Sequence, residues 1–169
     1  MTARPLNILF LCTGNSCRSI MAESLIERHG AGRFQGFSAG SHPQGYVNPH
    51  NLALLESLGW PTAGLRSKSW DEFGAAAAPG VPAMDMVITV CDNAAGEACP
   101  VWPGHPVTAH WPVRDPFVFS GSEAEIRAEY ASVYGAIEDS ILALVALPVE
   151  TMDRETLRAR LAGIKILQE

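Results

Sequence analysis

An apolar run, Ile8-Leu9-Phe10-Leu11, leads into Cys12-Thr13-Gly14-Asn15-Ser16-Cys17-Arg18-Ser19, and the helical spacing Met21, Leu25, Ile26 follows at once. No other feature restricts the fold as strongly. Four consecutive apolar residues without alternation predict a strand buried on both faces, as in a parallel sheet. A helix is predicted over 18–29 and stops at Gly30-Ala31-Gly32. The residues between must then turn at the carboxyl end of a strand, where open parallel sheets bind ligands.

That turn has a chemistry of its own. It points successive backbone N–H groups inward, the helix start adds unsatisfied N–H groups and positive dipole, and Arg18 adds a fork of donors. Thr13, Gly14, Asn15, Ser16, Cys17, Arg18 and Ser19 are the candidate oxyanion-binding residues, and Cys12 is the candidate nucleophile. The same field is expected to lower the Cys12 pKa and favour its thiolate. Gly14 suits a position needing positive φ or close anion approach. Asn15 tolerates a left-handed conformation and can brace the loop with its amide. Ser19 can donate to the Cys12 sulfur. Cys17 reads as an inward-facing filler, with a protective disulfide to Cys12 under oxidation as the alternative. A nucleotide phosphate loop is excluded, because no Gly-Lys-Ser/Thr and no GxGxxG is present.

Further strands are expected over 34–39, 86–90 and 107–110, and helices over 49–58, 123–147 and a short stretch carrying Leu157, Leu161 and Ile164. Asn48 is a candidate cap for the second helix. Ser122 and Glu125 form a capping-box pattern before Ile126, Tyr130, Val133, Ile137, Ile141 and Leu144 on one helical face. Residues 65–73 suggest a turn and short helix, and 74–82 a surface loop. Strands alternating with helices give an α/β fold, a parallel sheet with helices on both faces, in one domain over 1–169. Cys12 and Cys91 both fall at carboxyl ends of strands, on the same edge of the sheet.

The net charge of −6 offers no basic face, which argues against nucleic acid and acidic membranes as partners. No apolar run approaches the ~20 residues of a membrane span, and a cytoplasmic location is expected. In a reducing cytosol Cys12, Cys17, Cys91 and Cys99 suggest catalysis, redox exchange or metal instead of structural disulfides. Asp115, in a rigid Asp-Pro loop, is a candidate general acid; alone, Asp-Pro is more often a plain turn. Cys91 and Cys99 can pass a disulfide outward from a sulfur-bound intermediate. The alternatives are two buried fillers, or zinc held with His105 or His110, although those spacings match no familiar zinc pattern.

Cys12 to Ser19, Phe37-Ser38-Ala39-Gly40 and Asp115-Pro116, in this order, resemble the low-molecular-weight protein tyrosine phosphatase fold family. The pair Cys91 and Cys99 resembles the thioredoxin-linked arsenate reductases within it. The resemblance covers Asn7 to about Leu147 and implies a four-stranded parallel sheet. It also implies that Cys12 attacks arsenate held by Arg18 and the loop amides while Asp115 protonates the departing hydroxyl. Cys91 then attacks Cys12 to release arsenite, Cys99 attacks Cys91, and thioredoxin reduces the Cys91–Cys99 disulfide. No tightly bound cofactor is implied, and sulfate or phosphate would also fit the loop. Some such reductases bind a potassium ion near the loop; Asn15, Glu23, Ser38 and Asp71 are the matching candidates, with loop-bracing hydrogen bonds as the plainer role for Glu23 and Ser38. Ile20 stands where typical phosphatases carry proline, and Phe117 where they carry tyrosine. A phosphatase acting through a Cys12 phosphoenzyme is the alternative enzyme, and a redox- or metal-responsive binding protein the non-enzymatic one. Residues 74–82 look like an insertion, and the tail after Pro148 runs past the family core.

Overall fold

The computed structural model describes residues 4–74, 79–91 and 102–164. Strand β1 (Leu6–Cys12) runs into helix α1 (Arg18–His29), followed by β2 (Phe34–Gly40) and α2 (Pro49–Ser57). A single 3-10 turn (Trp70–Glu72) precedes β3 (Met86–Thr89) and β4 (Val107–His110). A second such turn (Pro116–Val118) leads to α3 (Glu123–Val145), and α4 (Arg154–Gly163) completes the fold.

The strands form one parallel sheet in the order β2-β1-β3-β4. The chain leaves β1 to one side for β2 and returns on the other side with β3. The switch in direction therefore falls between the carboxyl ends of β1 and β3, where a doubly wound sheet opens its ligand crevice. Cys12 ends β1, and Cys91 lies two residues past β3. Val90 N–H donates to Leu11 O at 2.8 Å and Val113 N–H to Val90 O at 3.2 Å, so the segment after β4 is laid beside the same edge.

The apolar run of β1 is buried throughout, and its alternation divides two cores. Ile8, Phe10 and Cys12 join α1, α3 and α4, whose Ile20, Leu25, Val133, Ile137, Ile141 and Leu161 are fully buried or nearly so. Leu9 and Leu11 face the other way, against Trp70, Phe73, Met84 and Val87. Among the described residues the second core is closed by a 3-10 turn and bulky side chains, and Arg158 and Ala162 of α4 line a pocket with Leu11 and Val87 on that face. Each fully buried aliphatic or aromatic side chain contributes roughly 1.5–3 kcal/mol by leaving water, so the doubly buried β1 is the anchor of the sheet.

The capping chemistry set the helix starts. The Asn48 carboxamide accepts from the N–H groups of His50 and Asn51, with Pro49 in the first turn. The Ser122 hydroxyl accepts from Glu125 N–H at 3.2 Å and donates to its carboxylate at 3.1 Å. Asp153 caps α4 by accepting from Thr156 N–H at 2.7 Å. The tail after Pro148 has a structural role that its sequence did not suggest: the Trp111 indole donates to Leu161 O at 3.0 Å, so α4 braces the segment that carries Asp115. The loop expected over 74–82 is described only in part, and its residues 79 and 80 form an exposed turn. Among the described residues, no helix is long and apolar enough to cross a membrane.

Candidate functional site

The turn after β1 is held from outside by its carbonyl groups. Thr13 O accepts from His42 N–H, Gly14 O from Gln44 N–H and Ser16 O from Asn48 N–H, each at 2.9 Å. The Ser67 hydroxyl adds a bond to Gly14 O at 3.1 Å, and the Asn51 amide reaches Ser16 O at 3.3 Å. Carbonyls turned outward leave the N–H groups of the same peptides facing in, which makes a nest for an anion. Asn15 N–H does point inward, to the Cys12 sulfur at 3.2 Å. Helix α1 starts at Arg18 with no side-chain cap on its first turn, so its N–H groups add to the positive end of the dipole.

The conformational strain sits on Asn15, not Gly14. Asn15 has φ 45°, whereas Gly14 does not have positive φ. An added Cβ on Gly14 would come within 3.2 Å of the Gln44 side chain, which would have to give by a few tenths of an ångström. The left-handed Asn15 is fully buried and held at both ends of its amide: its N–H₂ donates to Ser19 Oγ at 2.8 Å, and its oxygen accepts from Lys68 N–H at 2.8 Å. Gly40, at the end of β2, leaves no space for a side chain; a Cβ would lie 2.4 Å from Thr13 O.

The resulting pocket has a volume of about 240 Å³ and is lined by residues 12–18 together with His42, Gln44, Asp115 and Phe117. Arg18 reaches it from α1. One guanidinium nitrogen donates to Val113 O at 2.9 Å, and another stands 3.5 Å from Asp115 Oδ2. The other Asp115 oxygen accepts from Phe117 N–H at 3.0 Å, which fixes the carboxylate across the pocket mouth. Ser19, expected among the anion ligands and as a donor to the sulfur, is outside the pocket lining but lies fully buried behind the sulfur, its hydroxyl 2.9 Å from Cys12 Sγ. His42 and Gln44 were missed. They follow the carboxyl end of β2, which the rule for ligand sites in parallel sheets would have flagged.

The expected ease of ionising Cys12 meets an opposing influence. Contrary to that expectation, burial holds the thiol above its ordinary value, and the Ser19 hydroxyl and then the Arg18 guanidinium offset the rise only in part. Loop N–H groups and the start of α1 act in the same downward sense. The Ser19 hydroxyl is therefore a determinant of reactivity. Ser19→Ala is expected to move the pH midpoint of Cys12 alkylation by iodoacetamide upward by about one unit, the worth of one hydrogen bond to a charged group. An unchanged midpoint would mean that the hydroxyl does not act on the sulfur. Burial also pushes the Cys17 thiol far up, in line with an inert filler within the core.

Cys91 is buried, its sulfur 3.5 Å from the Thr13 hydroxyl, and so abuts the loop that begins with Cys12. Cys99 lies outside the described residues. Cys12, Cys17 and Cys91 are free thiols. Among the described residues no three His, Cys, Asp or Glu side chains gather as a metal site, and His110 Nδ1 lies 2.6 Å from the Thr89 hydroxyl. Of the potassium candidates, Asn15, Glu23 and Ser38 lie in one connected cluster behind the loop; Asp71 is exposed on the 3-10 turn, where its N–H donates to Ser69. The buried ammonium of Lys68 lies beside Glu23.

A family model described as low molecular weight phosphotyrosine protein phosphatase matches residues 7–158, past the end expected near Leu147. An arsenate reductase of Bacillus licheniformis is 35% identical over 135 residues, 79% of this chain and 91% of the relative. The crystal structure of an arsenate reductase from Archaeoglobus fulgidus aligns over 83% of this chain and 99% of that one, with TM-score 0.62 and 26% identity. A thioredoxin-dependent arsenate reductase from Corynebacterium glutamicum aligns over 83% of this chain and 64% of that one, with TM-score 0.55 and 25% identity.

Proposed function

The chain belongs to the low molecular weight phosphotyrosine protein phosphatase family, and on that premise we propose that it reduces arsenate to arsenite through a relay of cysteines. The observation that carries this reading is the position of Cys91, buried at the carboxyl end of β3 with its sulfur against Thr13 of the anion loop. Hydrolysis of a phosphoester through Cys12 has no use for a second thiol at that place. The relatives named arsenate reductase support the same reading.

Arsenate enters the nest of N–H groups, and the Arg18 guanidinium exchanges its contact with Asp115 for the oxyanion. The Cys12 sulfur attacks arsenic, and an arsenate hydroxyl leaves as water with a proton from Asp115. The Cys91 thiolate then attacks the Cys12 sulfur. A Cys12–Cys91 bond forms, the sulfur–arsenic bond breaks, and its electron pair stays on arsenic, which leaves as arsenite. Cys99 attacks Cys91 and frees Cys12. An external dithiol, thioredoxin by analogy with the Corynebacterium glutamicum protein, returns two electrons to the Cys91–Cys99 disulfide. Every electron comes from thiols, so the relay has no call on a nicotinamide or flavin site in this chain.

The test is an arsenate-dependent assay of NADPH consumption with thioredoxin and thioredoxin reductase supplied. Sustained turnover of many arsenates per chain is expected. A chain that hydrolyses an aryl phosphate steadily yet consumes no NADPH with arsenate would be a phosphatase with this pocket, and release of at most one arsenite per chain would mark a sensor.

A further inference from the structure

Lysine seldom lies inside a protein unless its charge is paired. The Lys68 side chain is only 8% exposed; its ammonium stands 3.8 Å from Oε1 of Glu23, itself 14% exposed, and donates to Arg66 O at 3.1 Å. The Ser38 hydroxyl donates to that same Glu23 oxygen at 3.1 Å, and the Asn15 amide oxygen is taken by Lys68 N–H. Three of the four oxygen donors that the family resemblance offered to potassium are thus engaged with this lysine or with one another, and the fourth, Asp71, is exposed. A free cation at Glu23 would meet an ammonium of like charge a few ångströms away, a repulsion that partial burial strengthens. The residues do not fit a potassium ion.

We infer that the Lys68 ammonium is the built-in cation of the anion loop, standing between the Glu23 carboxylate and the Arg66 carbonyl where an exchangeable monovalent ion would otherwise bind. Its charge balances Glu23 beneath the loop, and its backbone carries the effect forward. Lys68 N–H holds Asn15, Asn15 holds Ser19, and Ser19 holds the Cys12 sulfur, in steps of 2.8, 2.8 and 2.9 Å. On the other side of the same residue, Gly40 N–H donates to Lys68 O at 2.9 Å. Burial lowers the pKa of the Lys68 amine and raises that of the Glu23 carboxyl, and each group's charge opposes the other's shift. An ion bound from solution stabilises in proportion to the logarithm of its concentration. A tethered ammonium removes that dependence, so loop order is independent of the salt present.

The inference rests on the geometry of the loop and not on arsenate chemistry, and its readouts consume no arsenate. Thermal unfolding and the rate of Cys12 alkylation, followed by mass spectrometry, are measured in potassium chloride and in choline chloride at equal ionic strength. The wild-type protein is expected to give the same Tm and the same rate in both salts. Lys68→Ala is expected to lower Tm by about 5–10 °C in choline chloride, as removal of one partner of a buried pair does. Potassium should then restore much of that loss in a saturable way, because a groove of about 710 Å³ lined by Glu23, Glu27, Arg66 and Lys68 gives ions access. A potassium-specific stabilisation of the wild-type protein would overturn the inference. So would a folded Lys68→Ala protein that responds equally to both salts. Should that variant not fold, Lys68→Met, of similar length without the charge, is read by the same criteria, and the wild-type comparison stands by itself.

Discussion

Cys91→Ser is expected to abolish thioredoxin-coupled arsenate turnover, by at least about a thousandfold, while slow hydrolysis of an aryl phosphate continues. A hydroxyl cannot accept the bond from Cys12 that leaves the electron pair on arsenic. The variant should therefore stop at the sulfur–arsenic adduct, visible as a mass increase on Cys12 and as the absence of NADPH consumption. The substitution is close to isosteric, and Thr13 retains a hydrogen-bonding neighbour at that place. Loss of turnover would then be read as chemistry if Tm changes by no more than a few degrees. Arsenate turnover that survives both Cys91→Ser and Cys99→Ser would remove the relay and leave the pocket as a site for ester cleavage.

Arg18→Lys should lower kcat/KM for arsenate about 10²–10³-fold, although the charge is kept. The guanidinium spans two anchors, Val113 O at 2.9 Å and Asp115 at 3.5 Å, and presents a planar fork to the pocket between them. An ammonium has a single point of contact and cannot hold both an oxyanion and the segment after β4. The same variant should lose the protection of Cys12 against iodoacetamide that arsenate, phosphate or sulfate gives the wild-type protein. Undiminished protection would mean that the loop amides alone bind the anion.

Most of the fold was legible because its signals are local. The apolar run of β1, the Gly30 stop, the Asn48 and Ser122 caps and the single helical face of α3 each depend on neighbours in the chain. Boundaries moved by one or two residues, at β1, β2, β3, α2 and α3, as element ends do. The site was legible in part. Cys12, Arg18 and Asp115 carry chemistry in their side chains and converge on one pocket as expected. His42 and Gln44 belong to the same pocket through a loop without a motif, and of the two roles the sequence offered Ser19 the structure shows the contact with the sulfur.

Lys68 shows the limit most plainly. Nothing in the spacing of Arg66-Ser67-Lys68-Ser69 separates it from a solvated surface lysine. Its burial follows from Gly40 pairing in parallel with Ser69 at the end of β2, a contact between segments nearly thirty residues apart in the chain.

By itself the sequence determined which segments are strands and helices, that the strands run parallel, and that a nucleophilic sulfur meets an arginine at the start of a helix. Hydrogen-bond period, side-chain size and capping are properties of a few consecutive residues, so the chain spells them out. Only the tertiary structure decided which charge lies behind the loop and how near to it the thiol on the same sheet edge comes. The energies of burial and pairing depend on what the folded chain brings within a few ångströms, and that distance is not written in residue spacing.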